Sequence, residues 1–324
     1  MLTELFRCYG LRVLTDDIDP AQSIGAITSF AVPDDVQVQR EAVDGNIFPS
    51  LTTLLSHTER IDVTSLNVDQ LLDMVGTIGL CAKGVSSQTG VELFLSQVNQ
   101  CTPGVNTGAV NMRVSAKSTS GTSAVFGMFT PGQITANQGS DATMSIAFTP
   151  TANGGNAGFT VAEDQTLPAI ADTKSRFSLA EQFDLNGTSI TGKKSLGINF
   201  NAQLLREAVD GSLAPDWVSI ESLMSMITIS GINPTWAANI PRGGKSFAHA
   251  NCTFYLRQRS PDSATGFYAD SENKHIKITA AGKAFVTNLA SGQTNRPVES
   301  AIVMYVEFDG TNAPIVINTN QQIT

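Results

Sequence analysis

Apolar and polar residues alternate with a period of two along most of this chain, the signature of half-buried β-strands. Val36-Gln37-Val38-Gln39-Arg40-Glu41-Ala42 places Val36, Val38 and Ala42 on one face. Arg60-Ile61-Asp62-Val63-Thr64-Ser65-Leu66 and Met226-Ile227-Thr228-Ile229-Ser230-Gly231-Ile232 alternate in step with each other. Further strands are predicted at Val91 to Leu95, Val110 to Ala116, Met144 to Phe148, Cys252 to Leu256, His275 to Thr279 and Ala301 to Phe308. Turn-forming groups separate them, among them Thr102-Pro103-Gly104, Asn153-Gly154-Gly155-Asn156 and Ser260-Pro261-Asp262. One stretch departs from period two. Asn67 to Gly76 reads as a short helix, with Asn67 as N-cap, Gln70 completing a capping box, and Leu71, Leu72 and Val75 on one stripe. Asn233-Pro234 predicts a shorter helix in the corresponding place.

That correspondence comes from a duplication. Arg40-Glu41-Ala42-Val43-Asp44-Gly45 returns as Arg206-Glu207-Ala208-Val209-Asp210-Gly211, an offset of 166. The same offset joins Pro49 to Pro215, Ser56 to Ser222, Ile61 to Ile227 and Asn67 to Asn233. Weaker echoes extend the match upstream, Leu14 with Leu179 at 165, and downstream, Met112 to Ala116 with Ile276 to Ala280 at 164. Asn156 to Phe159 answers Asn312 to Ile315 at 156, so the second copy has shorter loops. The unit is too long for a solenoid repeat of roughly 20 to 50 residues, so each copy is expected to have its own core. The expected division is 1–165 and 166–324, with a linker near Glu163 to Pro168. The expected fold is mainly β: two tandem β-sandwich or flattened-barrel domains, each with a short helix. Asp44-Gly45 and Asp210-Gly211 would form equivalent turns needing positive φ, flanked by Arg40, Glu41, Arg206 and Glu207.

Composition narrows the function. Charged residues make up only 15% of the 324, against a usual share of roughly 25%. The net charge of −9 opposes general binding of nucleic acid. It is also unevenly placed: residues 1–165 carry 7 basic and 16 acidic side chains, whereas 166–324 carry 13 of each. Opposite potentials of that kind register contacts between surfaces, with neutral drift as the alternative. Cys8, Cys81, Cys101 and Cys252 show no metal spacing, which predicts free, buried thiols and no bound metal. The N-terminus lacks the basic and apolar regions of a signal peptide, and Leu71 to Ala82 is too short to span a membrane.

Catalytic chemistry finds little support. His57, His249 and His275 sit in no metal or nucleophile pattern, and no G-x-S-x-G elbow occurs. Gly243-Gly244-Lys245-Ser246 lacks the first glycine of a phosphate loop, since Asn239 stands there. The chain is expected to be no enzyme and to need no cofactor.

Two tandem β-rich copies, the repeated Arg40 to Gly45 segment, and Ile61 to Asp69 leading into Leu71-Leu72 resemble the major tail tube proteins of long-tailed bacteriophages. The resemblance spans roughly Leu11 to Val161 and Arg176 to Ile317. It implies a structural virion protein, made in the host cytoplasm, whose rings stack into a tube that conducts DNA without binding it specifically. In that family six single domains usually form a ring, so a duplicated chain implies three subunits per ring. Other phage tail proteins would be partners, and the lumen is expected to be acidic. A phage baseplate or receptor-recognition module is the alternative; it would show aromatic residues clustered on loops, and the chain has only Trp217 and Trp236.

Overall fold

The computed structural model describes residues 6–14, 22–43, 47–72, 90–97, 119–124, 127–151, 159–162, 175–209, 211–232, 248–291, 298–311 and 313–324. The first half supplies β1 (Phe6–Leu14), β2 (Gln22–Ile24), β3 (Ile27–Ala31), β4 (Asp34–Glu41), β5 (Leu51–Glu59) and β6 (Ile61–Ser65). It continues with β7 (Gly90–Gln97), β8 (Thr119–Ala124), β9 (Gly127–Asn137), β10 (Thr143–Pro150) and β11 (Thr160–Ala162). The second half supplies β12 (Phe177–Leu185), β13 (Thr188–Ser189), β14 (Lys193–Asn199), β15 (Ala202–Glu207) and β16 (Trp217–Leu223). After these come β17 (Met226–Gly231), β18 (Ala248–Gln258), β19 (His275–Ser291), β20 (Glu299–Val306) and β21 (Ile315–Gln321). The fold is mainly β, with large antiparallel sheets. Val110 to Ala116 and the second helix fall outside the described residues.

Alternation does set the buried faces. Ile61, Val63 and Ser65 of β6 are buried while Asp62 and Thr64 are only half-buried, and β17 repeats this with Ile227, Ile229 and Gly231. The first helix is one short segment at 68–72, and Asn67 precedes it as expected. Its cap differs from a capping box. The Asn67 Nδ2 donates to Gln70 Oε1 at 2.9 Å, while Oδ1 accepts from the Arg176 guanidinium.

The strands close no barrel among the described residues. They form a five-stranded sheet in the order β11-β8-β7-β1-β2, and a sheet of twelve running β13-β12-β18-β19-β20-β17-β14-β9-β10-β6-β3, with β21 beside β19. The larger sheet carries strands of both halves, so a single hydrophobic core spans them. β4 with β5, and β15 with β16, form two separate hairpins.

Strand pairing repeats between the halves. β3-β6-β10 corresponds to β14-β17-β20, and β1-β7-β8-β11 to β12-β18-β19-β21. Even the bulges agree: the register shifts between Ile27 and Ser29 against β6, and between Lys193 and Ser195 against β17. The long β19 therefore does the work of both β8 and β9. Thr143 opposite Thr135 matches Glu299 opposite Ser291, an offset of 156. Pairing also corrects two sequence echoes. Ile276 lies opposite Leu256, the place Ser120 holds opposite Leu95, so Thr119–Ala124 rather than Met112 to Ala116 corresponds to the start of β19. Cys8, opposite Leu95, holds the place of Leu179, opposite Leu256; Leu14 does not. Short alternating segments match one another in several registers, and only hydrogen-bond pairing chooses among them.

Two glycines mark one further equivalence. A Cβ on Gly127 would overlap the Phe148 ring and the Thr149 carbonyl, and one on Gly282 would overlap the Tyr305 carbonyl. In each half a strand crosses its neighbour too closely for any side chain.

Candidate functional site

The most elaborated region is where the two halves meet. β14 of the second half pairs with β9 of the first, Ser195 opposite Asn137 through Asn199 opposite Gln133. Leu196, Ile198, Ile134 and Ala136 are all buried there. Further contacts lie around it. The Ala142 N–H donates to the Phe177 carbonyl at 2.6 Å, and the His57 N–H donates to the Leu213 carbonyl at 2.8 Å. Arg259 pairs with Asp141, and Arg176 with Asn67, so the second half also grips the first through charge-assisted bonds.

The repeated segments end the first strand of each hairpin. Arg40 and Glu41 face Thr52 and Leu51 and are exposed; Arg206 and Glu207 face Val218 and Trp217. Each hairpin is closed by a nine-residue loop, 42–50 and 208–216, rather than by a two-residue turn. Gly211 has φ +78°, the left-handed value expected for that turn. Asp44, Gly45 and Asp210 lie outside the described residues. The loops share hydrogen bonds that side-chain identity concealed. Ser50 N–H donates to the Glu41 carbonyl at 3.0 Å and Asp216 N–H to the Glu207 carbonyl at 2.9 Å. Val43 N–H then donates to Ser50 Oγ, and Val209 N–H to Asp216 Oδ2. Ser50 and Asp216 stand at the same offset of 166 and do the same work. Their shared preference for accepting local backbone N–H groups was the signal available in the sequence.

A cleft of about 470 Å³ opens at the junction, lined in part by Arg60, Asp62, Thr130, Asn199, Gln203 and Arg206. Arg60 donates to Asp62 Oδ2 through Nε at 3.0 Å and Nη2 at 2.7 Å. Desolvation, and then the like charge of Arg60, lower the pKa of Arg206, with Asp35 opposing.

His57 and His275 hold structure. His57 Nε2 lies 2.5 Å from Asp34 Oδ1 across the base of the first hairpin. His275 is fully buried; its Nδ1 accepts from Gln258 N–H at 3.2 Å, which leaves Nε2 to donate to the Ala269 carbonyl at 3.0 Å. His249 lies in β18 opposite Lys283. Cys252 is a buried free thiol whose pKa burial pushes up to about 12, and which is therefore a poor nucleophile. Among the described residues no group of His, Cys, Asp and Glu is placed to hold a metal, and no helix is long and apolar enough to cross a membrane.

What the hairpins do offer is apolar surface. Val36, Val38, Ile47, Phe48, Leu51 and Leu55 of the first are exposed, as are Leu205, Val209, Leu223 and Met224 of the second. Protein-family models and curated proteins contain no match to this chain.

Proposed function

We propose that this chain is a structural subunit of a phage tail tube, built as two tandem tail-tube-like β-domains, 1–165 and 166–324. Three chains would form a ring of six similar units, and rings would stack into a hollow tube in the virion tail. The observation that carries the reading is the repeated strand order, joined across the two halves in one sheet. A unit that already pairs its edge with its own copy is suited to continuing that pairing around a closed ring. The exposed apolar hairpins supply further surface that assembly would cover.

The acidic first half fits the same role. Carboxylates facing the lumen would repel DNA phosphates and let the strand slide, whereas a basic lining would hold it through counterion release. Electron microscopy of the purified protein tests the proposal. Tubes with threefold averaged symmetry and six similar units per ring support it; sixfold rings of whole chains overturn it. Dispersed monomers at high concentration would favour the baseplate or receptor-binding alternative instead.

A further inference from the structure

The internal junction has a counterpart that the chain leaves open. Moving β14 back by 166 residues gives β3, the last strand of the twelve-stranded sheet, whose outer edge has no strand partner among the described residues. Moving the far part of β9 forward by 156 gives the end of β19. β18 reaches only as far as Ala284, so β19 continues to Ser291 with β20 along one edge and no described strand along the other.

Burial follows the same rule. Leu196 and Ile198 are 1% and 0% exposed in the internal junction, while their counterparts Phe30 and Val32 are 41% and 40% exposed. Ala142 is 0% exposed and its counterpart Val298 41%. Ala214 in the second hairpin loop is 6% exposed, and Phe48 in the first is 75%. On the receiving side His57, whose N–H donates to the Leu213 carbonyl, is half-buried, whereas its counterpart Leu223 and the following Met224 are exposed. Each of these four buried apolar positions, Leu196, Ile198, Ala142 and Ala214, is matched by an exposed one, and the exposed positions divide into two complementary sets. β3 and the Ile47–Phe48 loop belong to one set; Val298, Leu223 and Met224, on the side of the chain that carries the open edge of β19, belong to the other.

We infer that a second copy of this chain covers these positions head to tail, repeating the internal junction between molecules. The outer edge of β3 pairs antiparallel with the end of β19 in the neighbouring copy. Gly197 faces Thr135 within the chain, so Ala31 faces Ser291 between chains. The Ile47–Phe48 loop lies on Leu223 and Met224 of that same neighbour. The occupant is a second copy because the repeat itself supplies both the template and the register. This deepens the ring reading, and rests on it only for the number of copies that close.

Two variants test it. Phe30→Asp is expected to weaken association about 30-fold or more by light scattering, with the circular dichroism and melting of the dilute chain unchanged. Ala31→Cys combined with Ser291→Cys, treated with a short bismaleimide, is expected to give covalent multimers ending in a closed three-chain species; neither single variant gives them. Multimers that run on past three chains would keep this junction and overturn the three-chain ring. Rings that survive Phe30→Asp and do not cross-link through the cysteine pair would overturn this junction and leave the ring standing. A wild-type chain that stays monomeric and uncross-linked at all concentrations overturns both.

Discussion

The two hairpins turn through the same six residues and close with the same backbone hydrogen bonds, yet they live in different surroundings. β4 is exposed along its whole length. In the second hairpin Val218 and Ala214 are buried, and the loop touches the first half at His57. Nothing local produces that contrast. The second hairpin has the first half of the chain beside it, and the first has no such neighbour within one molecule. Sequence sets the hairpin; what lies next to it sets the burial. Substitutions at equivalent positions can therefore separate what each unit does alone from what its neighbour adds.

The largest expected contrast is at the sheet edge. Ile198→Ala removes a fully buried side chain and should cost about 3 kcal/mol, whereas Val32→Ala, its exposed counterpart, should stay within about 0.5 kcal/mol in dilute monomer. Urea unfolding of the two variants measures both. Equal costs would mean that the two edges are not in the different environments described.

Equivalence rather than contrast is expected at the paired glycines. Gly127→Val and Gly282→Val each push a side chain into a backbone carbonyl of the neighbouring strand, and each should cost about 2 to 3 kcal/mol or more. Thermal melts in which one is tolerated and the other is not would break the correspondence between β8-β9 and β19.

How much of this could be read beforehand follows from the same physics. The strands at 61–65, 226–231, 143–150 and 299–306 were legible because each has one face in the core, so period two survives in the residues. Val36 and Val38 obey the same period and are exposed, because alternation marks a face and not what covers it. The β9–β14 pairing was not legible. Edges are chosen by backbone groups that every residue carries, and neither Gln133 to Asn137 nor Ser195 to Asn199 announces its partner. Ser50 and Asp216 were hidden for a different reason: unlike side chains accept the same hydrogen bond.

Lys193 has no charged counterpart, since Ile27 stands 166 residues before it. Its ammonium is buried, donates to the Glu181 carbonyl and lies over the Phe183 ring at 5.4 Å. Desolvation brings its pKa down to about 8, with Glu181 opposing. Between that value and the ordinary lysine range the unfolded chain holds the proton more tightly. Stability should then rise with pH through the window, on the order of 2 kcal/mol, and fall back as pH drops through 8. Lys193→Met should remove that part of the pH dependence in chemical denaturation. A variant whose profile parallels the wild type there would show that the lysine pays no burial penalty.

The smallest effect tests the repeat at a single backbone angle. Ala26 and Gly192, 166 residues apart, both have positive φ, 52° and 85°. Their carbonyls accept equivalent bonds, from Leu66 N–H at 3.2 Å and from Ile232 N–H at 2.9 Å. The left-handed conformation costs an alanine about 1 kcal/mol, and a glycine nothing beyond the extra freedom it loses on folding. Ala26→Gly should thus gain a few tenths to about 0.5 kcal/mol, and Gly192→Ala should lose about 1 kcal/mol. Melting temperatures that move in opposite directions would place both residues at the same bend before a bulged strand. A loss on Ala26→Gly would mean that its side chain contributes more by packing than the bend costs it, and that the two positions have diverged.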